Sequence, residues 1–171
     1  LTMTISSPVP HPRPRRLRKD DFSRRLVREH HLHADDLIYP VFVLDQDEGT
    51  EAVSSMPGVE RLGRSALYAA AERCLTLGVP VLALFPVIDA AFKTPDGREA
   101  GNPEGLVPRT VRELKRRFPE LGIMTDVALD PYTSHGQDGL LDEHNYILND
   151  PTVALLTKQA LTQAAAGVDI V

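Results

Sequence analysis

Residues 125 to 139, TDVALDPYTSHGQDG, gather three carboxylates, Asp126, Asp130 and Asp138, around Tyr132, Thr133, Ser134 and His135. A carboxylate can bind an ammonium group or accept its proton. Asp130 and Asp138 are also hard oxygen donors, suited to Mg²⁺ or a similar cation rather than to Zn²⁺. His135, alone in a turn, reads as a hydrogen-bonding residue before a metal ligand. If the segment is an extended strand end, alternation puts Asp126, Ala128 and Asp130 on one face and Val127 and Leu129 on the other. Carboxylates in such a row need water, a partner or a ligand. A functional cluster and a solvated strand end with a polar turn both satisfy that requirement.

The elements that would position this segment follow a rhythm. Buried-strand runs begin at residues 37 (LIYPVFV), 79 (VPVLALFPV), 121 (LGIMTDVALD) and 167 (GVDIV), so their starts lie 42, 42 and 46 residues apart. Helical patterns fall between them. Residues 65–78 place Leu67, Ala70, Ala71, Cys74 and Leu75 at helical spacing, with Gly78 to end the helix. Residues 106–120 form a basic amphipathic pattern that stops near Pro119. In residues 150–167, Asp150 is expected to cap, Pro151 to fill the first turn and Gly167 to terminate, with Val153, Leu156, Ala160 and Ala164 on one face. SSMPG, residues 54–58, supplies a turn at Pro57 and Gly58.

Apolar strands alternating with helices predict a parallel sheet. No GxGxxG or GKS/T loop follows the first strand, which removes the usual reason for a doubly wound nucleotide-binding fold. The near-constant repeat favours an α/β TIM (β/α)8 barrel. GxSxG is also absent, so no serine-hydrolase arrangement is indicated. The fourth hydrophobic run stops after DIV, and the expectation is that residues 36–171 form the first half of a barrel, ending in its fourth strand.

Residues 1–35 are expected to be an extended basic arm. Pro8, Pro10, Pro12 and Pro14 punctuate it, and DDFSRRLVRE suits a short helix with Phe22, Leu26 and Val27 on one apolar face. The net charge of −5 is unevenly spread: residues 1–33 hold eight Lys and Arg against three Asp and Glu, the rest eleven against twenty-one. A single aromatic, Phe22, gives the arm no stacking ladder for single-stranded nucleic acid. Docking on the acidic body of its own chain or of a neighbour is expected instead, with no nucleic-acid partner. The HHLH tract, residues 30–33, reads as ordinary surface, and Cys74, the one cysteine, as core. No apolar run is long enough to cross a bilayer, no signal-peptide core is present, and a cytoplasmic location without a membrane partner is expected.

DLIYPVFV, SMPGVERL, FPELGIMTDVALDPYTSHGQDG and LND followed by a helix together resemble porphobilinogen synthase, or delta-aminolevulinic acid dehydratase, over residues 13 to 171. The resemblance implies a TIM barrel whose N-terminal arms wrap neighbouring subunits, commonly as an octamer. It implies an enzyme, a hydro-lyase that joins two 5-aminolevulinate molecules to porphobilinogen with loss of water, in tetrapyrrole and haem synthesis. Zinc-using members carry three cysteines where this sequence has Ala128, Asp130 and Asp138, so the pattern resembles the magnesium-dependent branch, without catalytic zinc. By resemblance, Asp126 faces a substrate amino group, while Ser134 and His135 match the motif without a definite step. The branch's Mg²⁺ is allosteric, with its main ligand beyond residue 171.

The Schiff-base lysines of the family lie in the second half of the barrel. Lys19, Lys93, Lys115 and Lys158 fall in the arm, a loop and two helices, so none ends a strand and the chain alone is expected to be inactive. Two other expectations compete: a Mg²⁺-dependent aldolase or lyase barrel, and a non-enzymatic basic-armed binding protein.

Overall fold

The computed structural model describes Arg13 and residues 15–171. The proline-rich stretch expected to be extended lies, but for Arg13, outside the described residues. The chain divides into two compact units, residues 1–33 and 34–171.

In the first unit, two short helices, α1 (Arg16–Lys19) and α2 (Asp21–Leu26), meet at Asp20. Asp20 is extended and its side chain makes no capping bond; Ser23 ties the corner by donating to the carbonyls of Leu17 and Asp20. Phe22, Leu26 and Val27, the expected apolar face, are all exposed.

The second unit is built on a five-stranded sheet in the order β2-β3-β1-β4-β5. Its strands are β1 (Ile38–Val43), β2 (Thr50–Ala52), β3 (Glu60–Leu62), β4 (Val81–Pro86) and β5 (Gly122–Thr125). β1, β4 and β5 run parallel, each beside the next, and β3 lies parallel on the other side of β1. β2 and β3 pair antiparallel across the Pro57–Gly58 turn, where Gly58 takes φ +84°. This three-residue hairpin at the edge was not legible as strand: its residues, TEA and ERL, are short and polar.

Between the parallel strands run α3 (Arg64–Leu77) and α4 (Leu106–Arg117), and α5 (Asn149–Ala166) follows β5. α3 and α5 stop at Gly78 and Gly167, both left-handed as a C-terminal glycine permits. α3 and α4 bury Leu67, Ala71, Cys74, Val107, Val111 and Leu114 against Val41, Val43, Leu82, Leu84 and Ile123, one face of the sheet. On the opposite face Ile38 and Phe85 stay exposed. Apolar strands with helices on one face and an open, equally apolar face on the other are what the first units of a (β/α)8 barrel present. The sheet is an open one, not a closed barrel.

Four expectations change. β5 ends at Thr125 rather than at residue 130, because its last sheet partner is Leu84 on β4 and the following carbonyls are taken by α5. The expected fourth strand is only a single parallel bridge, Met124 to Ile170. α5 starts at Asn149 after Leu148; Asp150 sits in its first turn and makes no cap. Nor does α5 bury the apolar face expected of it. Val153 and Ala164 are exposed, Leu156 and Ala160 half-buried, and the buried residues are Thr152, Gln159, Gln163 and Ala166.

Asp169 fastens the residues after α5 to β5. Its carboxylate accepts from the Ile123 amide at 2.8 Å and from Lys115 at 2.9 Å. Burial pushes the Asp169 carboxyl up, but the Ile123 amide and Lys115 outweigh it and hold the group below its ordinary value. A carboxyl depressed by folding contributes stability above its unfolded pKa of about 3.9 and loses it as pH falls through the folded value. Melts of wild type and Asp169→Asn are therefore expected to differ at neutral pH, by about 1 kcal/mol or less for so exposed an ion pair. The gap should shrink as pH falls below about 4 and close once the pH is below the folded value; a gap that stays constant through that range would rule out the ionised carboxylate as its source.

Candidate active site at the end of β5

Beyond Thr125 the chain leaves the sheet and turns at residues 129–132, where the amides of Tyr132 and Thr133 both donate to the Leu129 carbonyl. Leu129 is the pivot. It is 0% exposed and packs with Ala100 and Tyr132, flanked by Ile88, Leu155 and Leu156, in a small core separate from the one under the sheet. Val127 is half-buried, while Asp126, Ala128 and Asp130 all line one cavity of about 330 Å³. Phe42, Phe85, Arg61, Lys93 and Tyr132 contribute other parts of its wall. The cavity opens at the C-terminal ends of β1, β4 and β5, the end of a parallel sheet where strand-following loops build active sites.

The carboxylates differ in surroundings. Burial first, then the charge of Asp138 and, less, that of Asp126, push the Asp130 carboxyl up from its ordinary value. Burial also pushes the Tyr132 phenol far up, so it stays protonated and can only donate or accept a hydrogen bond. Asp138 lies near Asp130 but does not line the cavity.

Ser134 and His135 are not among the lining residues either. Ser134 is exposed, with its amide donating to Thr94. His135 is held at both ring nitrogens: Nδ1 accepts from the Gln137 amide and Nε2 faces the Pro95 carbonyl, each at 3.2 Å. That pattern requires the proton on Nε2 and leaves neither nitrogen free to ligate. Among the described residues, no group of three His, Cys, Asp or Glu side chains is placed to hold a metal ion. Cys74, on the inner face of α3, is buried, and burial pushes its thiol up, away from a reactive thiolate.

Sequence reasoning missed two parts of this site. Lys93 was placed in a loop, which is correct, but nothing in the sequence put that loop on the cavity. The residue 87–101 segment folds back because Thr94 bridges Thr133, its amide donating to the Tyr132 carbonyl and its carbonyl accepting from the Ser134 amide. The second part is the support from α5. Gln159 donates to the Ala128 carbonyl at 3.1 Å, and Gln163 donates to the Asp126 carbonyl at 3.0 Å while accepting from Thr125 at 3.0 Å. These bonds replace the sheet partners that the carbonyls lack, and an unpaired buried carbonyl there would cost about 1–3 kcal/mol.

Comparison with known proteins places the chain. A family model described as delta-aminolevulinic acid dehydratase matches residues 11–171. The delta-aminolevulinic acid dehydratase of Bradyrhizobium diazoefficiens is 52% identical over 159 residues, covering 93% of this chain and 45% of the relative. The chloroplastic enzyme of Glycine max is 45% identical over 171 residues, 99% of this chain and 41% of its own. A crystal structure of the Toxoplasma gondii enzyme in complex with its reaction product porphobilinogen matches with a TM-score of 0.88 and 42% identity, over 94% of this chain and 46% of that one. The chain thus spans less than half the length of the relatives it matches. Matched over nearly all of its residues in sequence and in fold, it belongs to the delta-aminolevulinic acid dehydratase family.

Proposed function

We propose that this chain is the N-terminal part of a porphobilinogen synthase, an enzyme that condenses two 5-aminolevulinate molecules to porphobilinogen with loss of water, in tetrapyrrole and haem synthesis. The observation that carries the reading is the meeting of Asp126, Ala128 and Asp130 on one cavity at the end of β5. Asp126 is the carboxylate for the substrate amino group: it binds the ammonium form and accepts a proton from it. The ketone-activating lysines and the substrate-carboxylate clamps belong to the part of the enzyme outside these 171 residues. Lys93 is not one of those lysines; it stands on a loop rather than at a strand end.

The metal reading follows the donor set. Ala128, Asp130 and Asp138 offer no thiolate, which fits an enzyme without catalytic zinc. Two carboxylates do suit a hydrated Mg²⁺, which keeps most of its waters, and a cation beside them would offset the desolvation and the repulsion that together raise Asp130. Such an ion would supply positive charge and ordered water. The regulatory Mg²⁺ of this reading has its main ligand outside residues 1–171. Exposed Phe22, Leu26 and Val27 support an arm that docks on a second copy of the chain, in an octamer. The enzyme of this reading is cytoplasmic. Among the described residues no helix is long and apolar enough to cross a membrane.

The test is pyrrole formation from 5-aminolevulinate, measured colorimetrically, with full-length enzyme and with residues 1–171 alone. Full-length enzyme is expected to be active, to stay active after zinc chelation and to gain activity with Mg²⁺. The 171-residue chain is expected to show none. Turnover by the short chain would remove the role assigned to outside lysines, and a strict zinc requirement would remove the metal assignment.

A further inference from the structure

α5 carries two glutamines, one helical turn apart, where an apolar contact face was expected. Gln159 is 0% exposed and Gln163 2%. Their amides donate to carbonyls two residues apart, Ala128 and Asp126. The spacings agree: four residues of helix rise about 6 Å, and two residues of extended chain advance about 6.6 Å. A helix can therefore read alternate carbonyls of a strand that has left its sheet, provided its side chains are long amides at i and i+4. Alternate carbonyls directed at the helix leave the side chains of Asp126 and Ala128 on the cavity wall.

The second ends of the two amides differ. Gln163 Oε1 accepts from Thr125, the last residue of β5, so one side chain spans the point where strand becomes loop. Gln159 lies beside the buried Tyr132 phenol on the cavity wall, and its Oε1 is the one buried side-chain polar atom without a partner among the described residues. Ala or Leu would fill these helix positions without placing such an atom in the core. The bond that this amide makes to the backbone is its donor's, to the Ala128 carbonyl.

We infer that Gln159 and Gln163 are positioning residues: α5 sets the depth and orientation at which Asp126 faces the cavity by gripping the backbone on either side of Val127. The inference rests on the functional reading above, in which Asp126 meets the substrate amino group. It adds that the helix after β5, and not the sheet, fixes that carboxylate.

The experiment is a double-mutant cycle in full-length enzyme, following pyrrole formation. Gln163→Met, close in size but unable to donate, is expected to lower kcat at least about tenfold with a much smaller change in KM, since misplacement of a reacting group is costly. In the Asp126→Asn background the same change is expected to cost under about twofold, because the group it positions is already gone. Gln159→Met is the second variant, should Gln163→Met fail to fold, and thermal melts report folding for each. Equal losses in both backgrounds, or a full-rate Gln163→Met and Gln159→Met, would overturn the positioning role while leaving the functional reading intact. A wild-type enzyme that forms no pyrrole would instead remove that reading and this inference with it.

Discussion

Asp126→Asn in the full-length enzyme is expected to lower kcat about 10²- to 10⁴-fold, the range over which a positioned acid–base group contributes. Asparagine keeps the size and leaves the backbone bond from Gln163 to the residue 126 carbonyl untouched. It removes only the negative charge and the ability to take a proton. The cavity holds a second carboxylate, Asp130, but partial desolvation of that group and its neighbour Asp138 favour its protonated form more than usual, so it is a poorer substitute for binding an ammonium. Asp130→Asn is the natural comparison. If Asp126 is the group for the amino nitrogen, its asparagine variant should lose far more than that of Asp130. Steady-state kinetics over a range of pH decide it, and an Asp126→Asn enzyme within tenfold of wild type would remove the assignment.

The parts of the site visible in the sequence were those that side-chain type alone dictates. Apolar runs gave β1 and β4 within two residues at each end, and the glycines ending α3 and α5 stand where the left-handed conformation is needed. The acids of residues 126–130 were placed together on one face, and all three positions line the same cavity even though β5 has already ended. Alternation of side chains outlasts the strand; pairing with β4 stops at Leu84, although β4 runs on to Pro86, because the next carbonyls bond to α5, and that capture is not written in the strand itself. α5 failed for a related reason. Periodicity reasoning treats Gln as solvent-facing, so a buried helix face made of Thr152, Gln159 and Gln163 looks polar and is assigned outward. Only the free carbonyls of Asp126 and Ala128, a tertiary fact, turn those amides inward. Lys93 joins the cavity wall through a loop whose return depends on Thr94 meeting Thr133 thirty-nine residues on.

Leu129→Ala is expected to destabilise the enzyme by about 2–5 kcal/mol, the cost of truncating a fully buried leucine and leaving a cavity. The side chain is 0% exposed, and the cluster around it is small: Ala100 and Tyr132, with Ile88, Leu155 and Leu156 at its margin. A small core has few neighbours able to close over the lost volume, which places the change in the upper part of that range. The consequence extends beyond stability. Leu129 is the inward anchor between Ala128 and Asp130, and its carbonyl receives the amides of both Tyr132 and Thr133 that make the turn. Loosening it frees the segment that carries the cavity's carboxylates, which is then held by the two glutamines of α5 on one side and by Thr94 beyond the turn. Activity is expected to fall at temperatures where the variant is still folded, and more than in a variant equally destabilised beneath the sheet, such as Leu82→Ala, whose side chain is 0% exposed. Leu129→Met, nearly equal in volume, should cost under about 1.5 kcal/mol and keep activity. Thermal melts and rates on these three variants separate the two effects: equal rate losses at equal destabilisation would mean that Leu129 supports the fold alone and not the site.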